Sequence, residues 1–480
     1  MARANLESST LSSRSTGQGG GSFDWPLLSI VTAMLIYGLI MVFSSSYPHS
    51  VLGWDHPFYF VGYQLAWIGT GLVVMIVAAR IPYTIWERWS VPLMGATVAT
   101  LVLLLLFGIE RFGSTRTLVG GSVQPSQPAK VIIVIYIAAW LASKGDRIRD
   151  VKVGLIPFGV LLGTLTLLVV LQPSISTAVL IVLTASIMFF LAGAALGQLV
   201  VIGMISGLTF WFVINYISYA SDRLTKYWNS IWDPINSAEH QVQYSIQALT
   251  HGGPVGVGIG QGIAQQPGFV PVPWSDNIYA VVGEELGLVG TLLVILLFGL
   301  LAWRGLRIAM RCRDPFGMLL AVGLTSMLVV QGLLNMAVVV AWIPPTGVPM
   351  PFFSYGGSAM LATMAAVGLL FSISHYSRNR PVSKSTIRTT AGPAAIGPNQ
   401  STARKAAPAR KATPARRSYA AQAQIGVEKH AGHDFGWGDG GSRLSGAGGG
   451  STTGAGSRSG SQPASGGKRD SRSAGDRQFG

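Results

Sequence analysis

The sequence predicts an all-α integral membrane protein of about ten transmembrane helices. Both termini are expected in the cytoplasm, with a large extracytoplasmic loop between the seventh and eighth helices and a disordered C-terminal tail. Three observations predict it. Hydrophobic residues make up 49% of the 480 and charged residues 11%, with a mean hydropathy of +0.46, too little charge to cover a soluble domain of this size. Apolar runs near the length needed to cross a hydrocarbon core, roughly 20 helical residues, recur along the first three quarters of the chain. Lys and Arg gather near alternate ends of those runs, which sets the orientation.

Residues 1–24 are polar and Gly/Ser-rich and are expected to be a disordered cytoplasmic N-terminus. The apolar run from Leu27 to Phe43 that follows has no small-x-small cleavage site after it, so it is expected to be an uncleaved first span. Candidate spans lie at 27–45, 58–79, 91–109, 129–143, 153–171, 177–194, 198–218, 277–302, 316–342 and 356–375, within a transmembrane domain of residues 25–376. With the N-terminus inside, the cytoplasmic loops receive Arg80, Arg88, Lys144, Arg147, Arg149, Lys152, Arg304, Arg307, Arg311 and Arg313. The outer loops hold only Arg111, Arg116, Arg223 and Lys226.

That orientation places segments 110–128, 219–276 and 343–355 outside, each rich in Pro, Gly and polar residues. The periodic stretch Glu239 to Leu249 predicts a helix lying at the outer interface, anchored by Trp228 and Trp232. Residues 377–480 have few large hydrophobes and cannot bury enough surface to offset their ordering entropy, so they are expected to be a disordered basic cytoplasmic tail. From Arg378 onward the chain carries 17 Lys+Arg against 5 Asp+Glu, which is +12 of the overall +15. The folded part is therefore nearly neutral, which argues against nucleic acid. The KAAPARKATPARR stretch suits anionic lipid head groups or an acidic partner, or simply solvates the tail. The single cysteine, Cys312, excludes an internal disulfide framework and reads as an incidental thiol.

Charges near membrane depth are costly and invite explanation. Asp276 immediately precedes the eighth span, and Glu284 and Glu285 follow about two and a half turns later. A carboxylate at an outer mouth suits a general base or a ligand for a divalent cation such as Mg or Mn; a helix N-cap is the plainer reading. Arg116, Lys130 and Arg223 are placed to meet a phosphate or pyrophosphate, or to snorkel. The glycine run HGGPVGVGIGQG at 251–262 lacks the GK[ST] and the strand–turn–helix setting of a nucleotide loop; its glycines point instead to close backbone packing. No zinc-type ligand cluster is evident.

The string WIPPTGVPMPFFSYGGSAM, Trp342 to Met360, closely resembles the PTG-x-PLPF-x-SYGGSS signature of the SEDS family, represented by FtsW and RodA. VQPSQPAK at 123–130, QPSIST at 172–177, the segment Arg223 to Gly262 and SDNIYAVVGEELGLVG fall in the same family order. The FSSSYPHS stretch and FYFVGYQLAWIGTGLVVM resemble the FtsW division branch more than the RodA branch.

The resemblance implies ten transmembrane helices and a peptidoglycan glycosyltransferase using lipid II at the outer face of a bacterial cytoplasmic membrane, with the division septum as its site. It also implies a class B penicillin-binding protein and other divisome membrane proteins as partners, besides membrane lipids. Carried onto this chain, the essential aspartate is Asp276; Arg116, Lys130 and Arg223 line the cavity, and Ser354, Tyr355, Gly356 and Gly357 shape its wall. The chain departs from the pattern at Gln127, Ser174 and Ser176, which replace a glutamate, an aspartate and a glycine, and PVPWS stands where the family has PEAHT. A lipid II flippase and an inactive division scaffold are the competing readings.

Overall fold

The computed structural model of the chain describes residues 23–107, 109–111, 114–117, 124–172, 174–216, 218–230, 232 and 239–377. The expected disordered N-terminus up to residue 22 and the basic tail from residue 378 lie outside the described residues.

Twelve α-helices account for most of the described chain. They are α1 (Trp25–Trp54), α2 (Tyr59–Arg80), α3 (Tyr83–Phe107), α4 (Ser126–Lys144), α5 (Ile156–Val170), α6 (Ile175–Leu191), α7 (Leu196–Tyr216), α8 (Ser218–Ser230), α9 (His240–Gly252), α10 (Ile278–Arg311), α11 (Pro315–Val339) and α12 (Gly357–Tyr376). Each of the ten predicted apolar runs coincides with one of them. Seven helices or helical stretches among the described residues are long and apolar enough to cross a membrane: α1, α2, α3, Val151–Val170 containing α5, α10, α11 and α12. The apolar parts of α6 and α7 are shorter, and α4 spans 19 residues. Between α3 and α4, β1 (Ile109–Arg111) and β2 (Ser114–Thr117) form a small antiparallel pair that hydropathy alone did not indicate.

The core is largely apolar, and α11 and α12 are the most enclosed of the spanning helices. Helices α2 and α12 approach closely because small residues meet larger ones in both directions. Gly71 of α2 faces Met364 of α12, and Gly368 of α12 faces Met75 and Ala78 of α2. Between lipid-embedded helices, where burial from water supplies little drive, such close packing is what holds the pair together.

One end of the bundle is basic. Asp24 caps α1 by accepting from the Leu27 N–H (3.2 Å), pairs with Arg304 at the end of α10 (2.8 Å) and accepts from Ser374 Oγ of α12 (2.7 Å). Ser372 Oγ donates to the Ile81 carbonyl (2.6 Å), and Tyr376 donates to that of Arg80 (2.9 Å). The start of α1 and the ends of α2, α10 and α12 therefore share one face, which the excess of Lys and Arg assigns to the cytoplasm.

The segment between α7 and α10 is more ordered than a loop with one surface helix. It holds two helices. Helix α9 starts at His240, one residue after the expected Glu239, and buries Val242, Ser245 and Ala248. It packs against α10, with Leu249 pressed on Gly283, and Trp228 and Trp232, the expected interfacial anchors, are exposed. Helix α10 itself is broken at Gly287, whose φ of 65° and ψ of −157° leave the helical region. The glycine run fills the break. Val257 and Gly258 N–H groups donate to the Glu284 and Glu285 carbonyls (3.0 and 2.9 Å), and Leu288 N–H donates to Gly253 O (3.0 Å). Irregular backbone inside a membrane domain is tolerated where protein satisfies its polar groups, as here.

Candidate active site

Asp276 lies in the last turn before α10, partly exposed. It is not the helix N-cap; Asn277 occupies that position without a capping bond, accepting from Gln241 Nε2 (3.0 Å) and donating to Pro271 O (2.8 Å). The plainer reading of Asp276 as a cap therefore fails, because the chain turns one residue later. Ser275 Oγ donates to Asp276 Oδ1 (3.1 Å).

The signature loop wraps this turn. Gly347 adopts φ +64°, and a Cβ built there would lie 3.4 Å from Asp276 Oδ2, so the glycine both suits the left-handed backbone and keeps room beside the carboxylate. Ser354 Oγ donates to the Ser275 carbonyl (2.7 Å) and accepts from the Met350 N–H (2.7 Å). Tyr355 N–H donates to Trp274 O (2.8 Å). Phe352 is buried at φ 71°, a strained conformation for a bulky residue and of the kind that collects at functional sites. Gly357 starts α12 with no room for a side chain, because the Trp67 indole occupies the place of a Cβ; Gly356 caps the same helix. Burial, followed by the neighbouring Tyr59 and Tyr63, holds the Tyr355 phenol above its usual range, so its hydroxyl stays neutral.

Two residues that the sequence reading passed over join these pieces. Asn335 Nδ2 of α11 bridges the Asp276 and Val348 carbonyls (2.8 and 2.9 Å). One turn earlier, Gln331 donates to Pro349 O (2.7 Å) and accepts from Lys130 Nζ of α4 (2.9 Å). Four residues apart, they share one face of α11. Two amides inside an otherwise apolar run were the available signal, since polar groups at such depth mark function or structure.

Lys130 is thus brought to the signature loop, but as a buried strut acting through Gln331. The void beside it measures about 10 Å³, near the lower bound for one water. Among the described residues no carboxylate pairs with it. Arg116 sits on β2 and Arg223 on α8, whose backbones alone are described there. Helix α8 is tied to the signature loop one turn beyond Arg223, where Tyr227 donates to Trp342 O (2.7 Å). Glu284 and Glu285 do not join Asp276. Glu284 accepts from the N–H groups of Ile263 and Ala264 and pairs with His251 (2.8–2.9 Å); Glu285 accepts from Gly260 N–H (3.1 Å) and Ser44 Oγ (2.5 Å). They order the glycine loop.

Among the described residues no group of three or more His, Cys, Asp or Glu gathers that could hold a metal ion. One carboxylate with a serine hydroxyl beside it is compatible with the way Mg is commonly held, by one or two carboxylates together with waters and substrate phosphates.

A family profile described as a cell cycle protein of the FtsW/RodA/SpoVE type matches residues 25–379. The chain belongs to that family. Stage V sporulation protein E of Bacillus subtilis is 36% identical over 357 residues, covering 73% of this chain and 97% of that protein. A probable peptidoglycan glycosyltransferase FtsW of Geobacter sulfurreducens is 33% identical over 363 residues, covering 75% and 97%. Among solved structures, the rod shape determining protein RodA of Thermus thermophilus matches with a TM-score of 0.53 at 22% identity, over 74% of this chain and 98% of that one. A chain of a peptidoglycan synthase complex, described as coordinating polymerization and crosslinking, matches with a TM-score of 0.62 at 23% identity, over 75% and 99%. These structural matches carry the shared fold, and the protein is a multi-pass membrane protein of bacterial type.

The departures from the FtsW/RodA/SpoVE pattern each find local partners. Gln127 donates to Gln124 Oε1 (3.1 Å), and Ser174 Oγ donates to Thr177 (2.8 Å). Ser176, where the family has glycine, donates to the Thr346 carbonyl (2.6 Å) and so ties α6 to the signature loop. Trp274, in the altered PVPWS, packs between His49 of α1 and Phe60 of α2 with ring centroids 4.7 and 4.6 Å away.

Proposed function

We propose that this chain is a peptidoglycan glycosyltransferase that polymerises lipid II into glycan strands at the outer face of the cytoplasmic membrane. The observation that carries the reading is the Asp276 carboxylate, partly exposed at the end of the bundle opposite the basic one, on a backbone turn held by the signature loop and α11. Family membership and relatives named as probable peptidoglycan glycosyltransferases support it.

In this mechanism Asp276 accepts the proton of the acceptor sugar 4-hydroxyl as that oxygen attacks the donor's anomeric carbon. The bond from that carbon to the pyrophosphate oxygen breaks, and undecaprenyl pyrophosphate leaves with the electron pair. Arg116 and Arg223 meet the developing negative charge, where fixed cations act most strongly. Lys130 adds positive potential from behind Gln331. The FtsW-like segments support a role in cell division at the septum, with a class B penicillin-binding protein to crosslink the product and divisome membrane proteins alongside. Asp276 would be the carboxylate to hold a divalent cation such as Mg or Mn, which would supply further neutralisation of the charge that develops on the pyrophosphate.

The flippase reading loses ground because Glu284 and Glu285, the carboxylates deepest in the spans, are committed to the glycine loop. The deciding assay is lipid II polymerisation by purified protein in detergent with a class B partner, wild type against Asp276→Ala. Strands from wild type alone support the proposal. No product from either, with partner binding demonstrated, overturns it in favour of transport or scaffolding.

A further inference from the structure

At the cytoplasmic end of α2 and α12 lies a cavity of about 370 Å³, bordered by Phe23, Met75, Ile76, Ala79, Arg80 and Phe371, with Asp24, Ser374, His375 and Tyr376 completing it. Its size falls within the roughly 300–1,000 Å³ of small-molecule sites. The walls are apolar on the lipid-facing flank of α2, where Ile76 is exposed, and Phe23 stacks on Phe371 across the floor (centroids 5.2 Å).

The charges at this cavity are unequal. Asp24 is spent: both carboxylate oxygens are engaged, by Arg304, Ser374 and the Leu27 N–H, so its negative charge is balanced inside the bundle. Arg80 is exposed, and among the described residues nothing pairs with its guanidinium, the Tyr376 hydroxyl taking only its carbonyl. His375 is exposed at the same mouth. The chain segments that flank the cavity in sequence cannot neutralise it: residues 1–22 carry two arginines against one glutamate, and Arg378 and Arg380 follow α12 directly.

We propose that this cavity binds one anionic phospholipid of the inner leaflet, an acyl chain along Met75, Ile76 and Phe371 and the phosphate at Arg80. An apolar slot open to the hydrocarbon and ending in an unpaired cation at head-group depth matches such a lipid in both halves, and basic pockets between helices on the cytoplasmic side are where anionic head groups dock. A free phosphate would leave the apolar walls uncovered, and the basic N-terminus or tail would meet like charge. The site lies at the end of the bundle away from Asp276 and does not rest on the proposed activity.

The test is native mass spectrometry of the full-length chain released from detergent with added dioleoyl phosphatidylglycerol or dioleoyl phosphatidylcholine. Wild type is expected to retain one phosphatidylglycerol several times more strongly than phosphatidylcholine. Arg80→Gln, at an exposed position, is expected to lower that retention about fivefold, the weight of one interfacial cation. Ala79→Trp, which fills the slot and leaves every charge in place, is expected to lower it as much, with thermal unfolding confirming that the variant is folded. Glycerol phosphate, a head group without chains, is expected not to displace the lipid. Equal retention of the two lipids, unchanged retention in Arg80→Gln, retention surviving in folded Ala79→Trp (which would place the lipid on the basic tail), or displacement by glycerol phosphate would each overturn the proposal.

Discussion

At the scale of single residues, the site divides into groups that face outward and groups that hold them. Asp276 was legible because a carboxylate beside a span is rare, and the signature loop because its string is distinctive. Asn335 and Gln331 were not, because hydropathy absorbs two amides into a long apolar run without registering which face they share. Their roles follow from what their loss would strand. Asn335→Leu leaves the Asp276 and Val348 carbonyls without their buried donor, a cost of about 1–3 kcal/mol per unsatisfied group. The expected result is a lower unfolding temperature together with a fall in polymerisation of at least tenfold, measured on protein that remains folded, and Asn335→Gln is expected to recover less activity than stability. Asp276→Asn separates chemistry from structure: its side chain keeps the shape and loses the base, so unfolding should stay as in wild type while strand synthesis disappears. Loss of both together would make Asp276 a structural residue.

At the scale of elements, the broken α10 and the glycine loop explain each other. The run GEELGLVG reads in sequence as one continuous helix, since nothing in its hydropathy reports that Gly287 leaves the helical region. The glycines at 252–262 were legible as close-packed backbone, but their partner was not, because the two segments meet only in three dimensions. A side chain at Gly287 would need a left-handed conformation and would collide with the backbone at Gly256. Gly287→Ala is therefore expected to destabilise by more than the ~1 kcal/mol that a helical Gly→Ala change ordinarily gains. The damage should be local, with amide hydrogen exchange rising across 252–264 before the rest of the bundle opens. Uniformly slow exchange in that loop would mean that the break does not hold it.

At the scale of the whole molecule, the bundle has a polar knot at each end and an apolar middle, and the ten apolar runs were readable because lipid imposes length and composition on every span. The cytoplasmic knot was not readable. Asp24 and Arg304 are 280 positions apart, and only the packing of α1 against α10 makes them a buried pair. Removing one partner of such a pair typically costs about 3–5 kcal/mol, whereas replacing both with apolar groups is often neutral. Asp24→Asn should thus lower the unfolding temperature markedly, while Asp24→Leu combined with Arg304→Met should recover most of it.

Orientation is the remaining whole-molecule inference, and it rests on where the basic residues lie. The single cysteine makes it testable with few changes. Cys312 is buried, and burial pushes its thiol above the usual range, so it should react slowly with maleimides from either side. That leaves a quiet background for introduced thiols. Glu239 caps α9 in the segment assigned to the outside, and Arg313 follows α10 on the basic face; both are exposed. With a membrane-impermeant maleimide on intact cells whose outer layers admit the reagent, Glu239→Cys is expected to label fully. Arg313→Cys is expected to label only after the membrane is opened. The reverse pattern would turn the protein over, place Asp276 in the cytoplasm and remove the basis for strand synthesis at the outer face, whatever the fold.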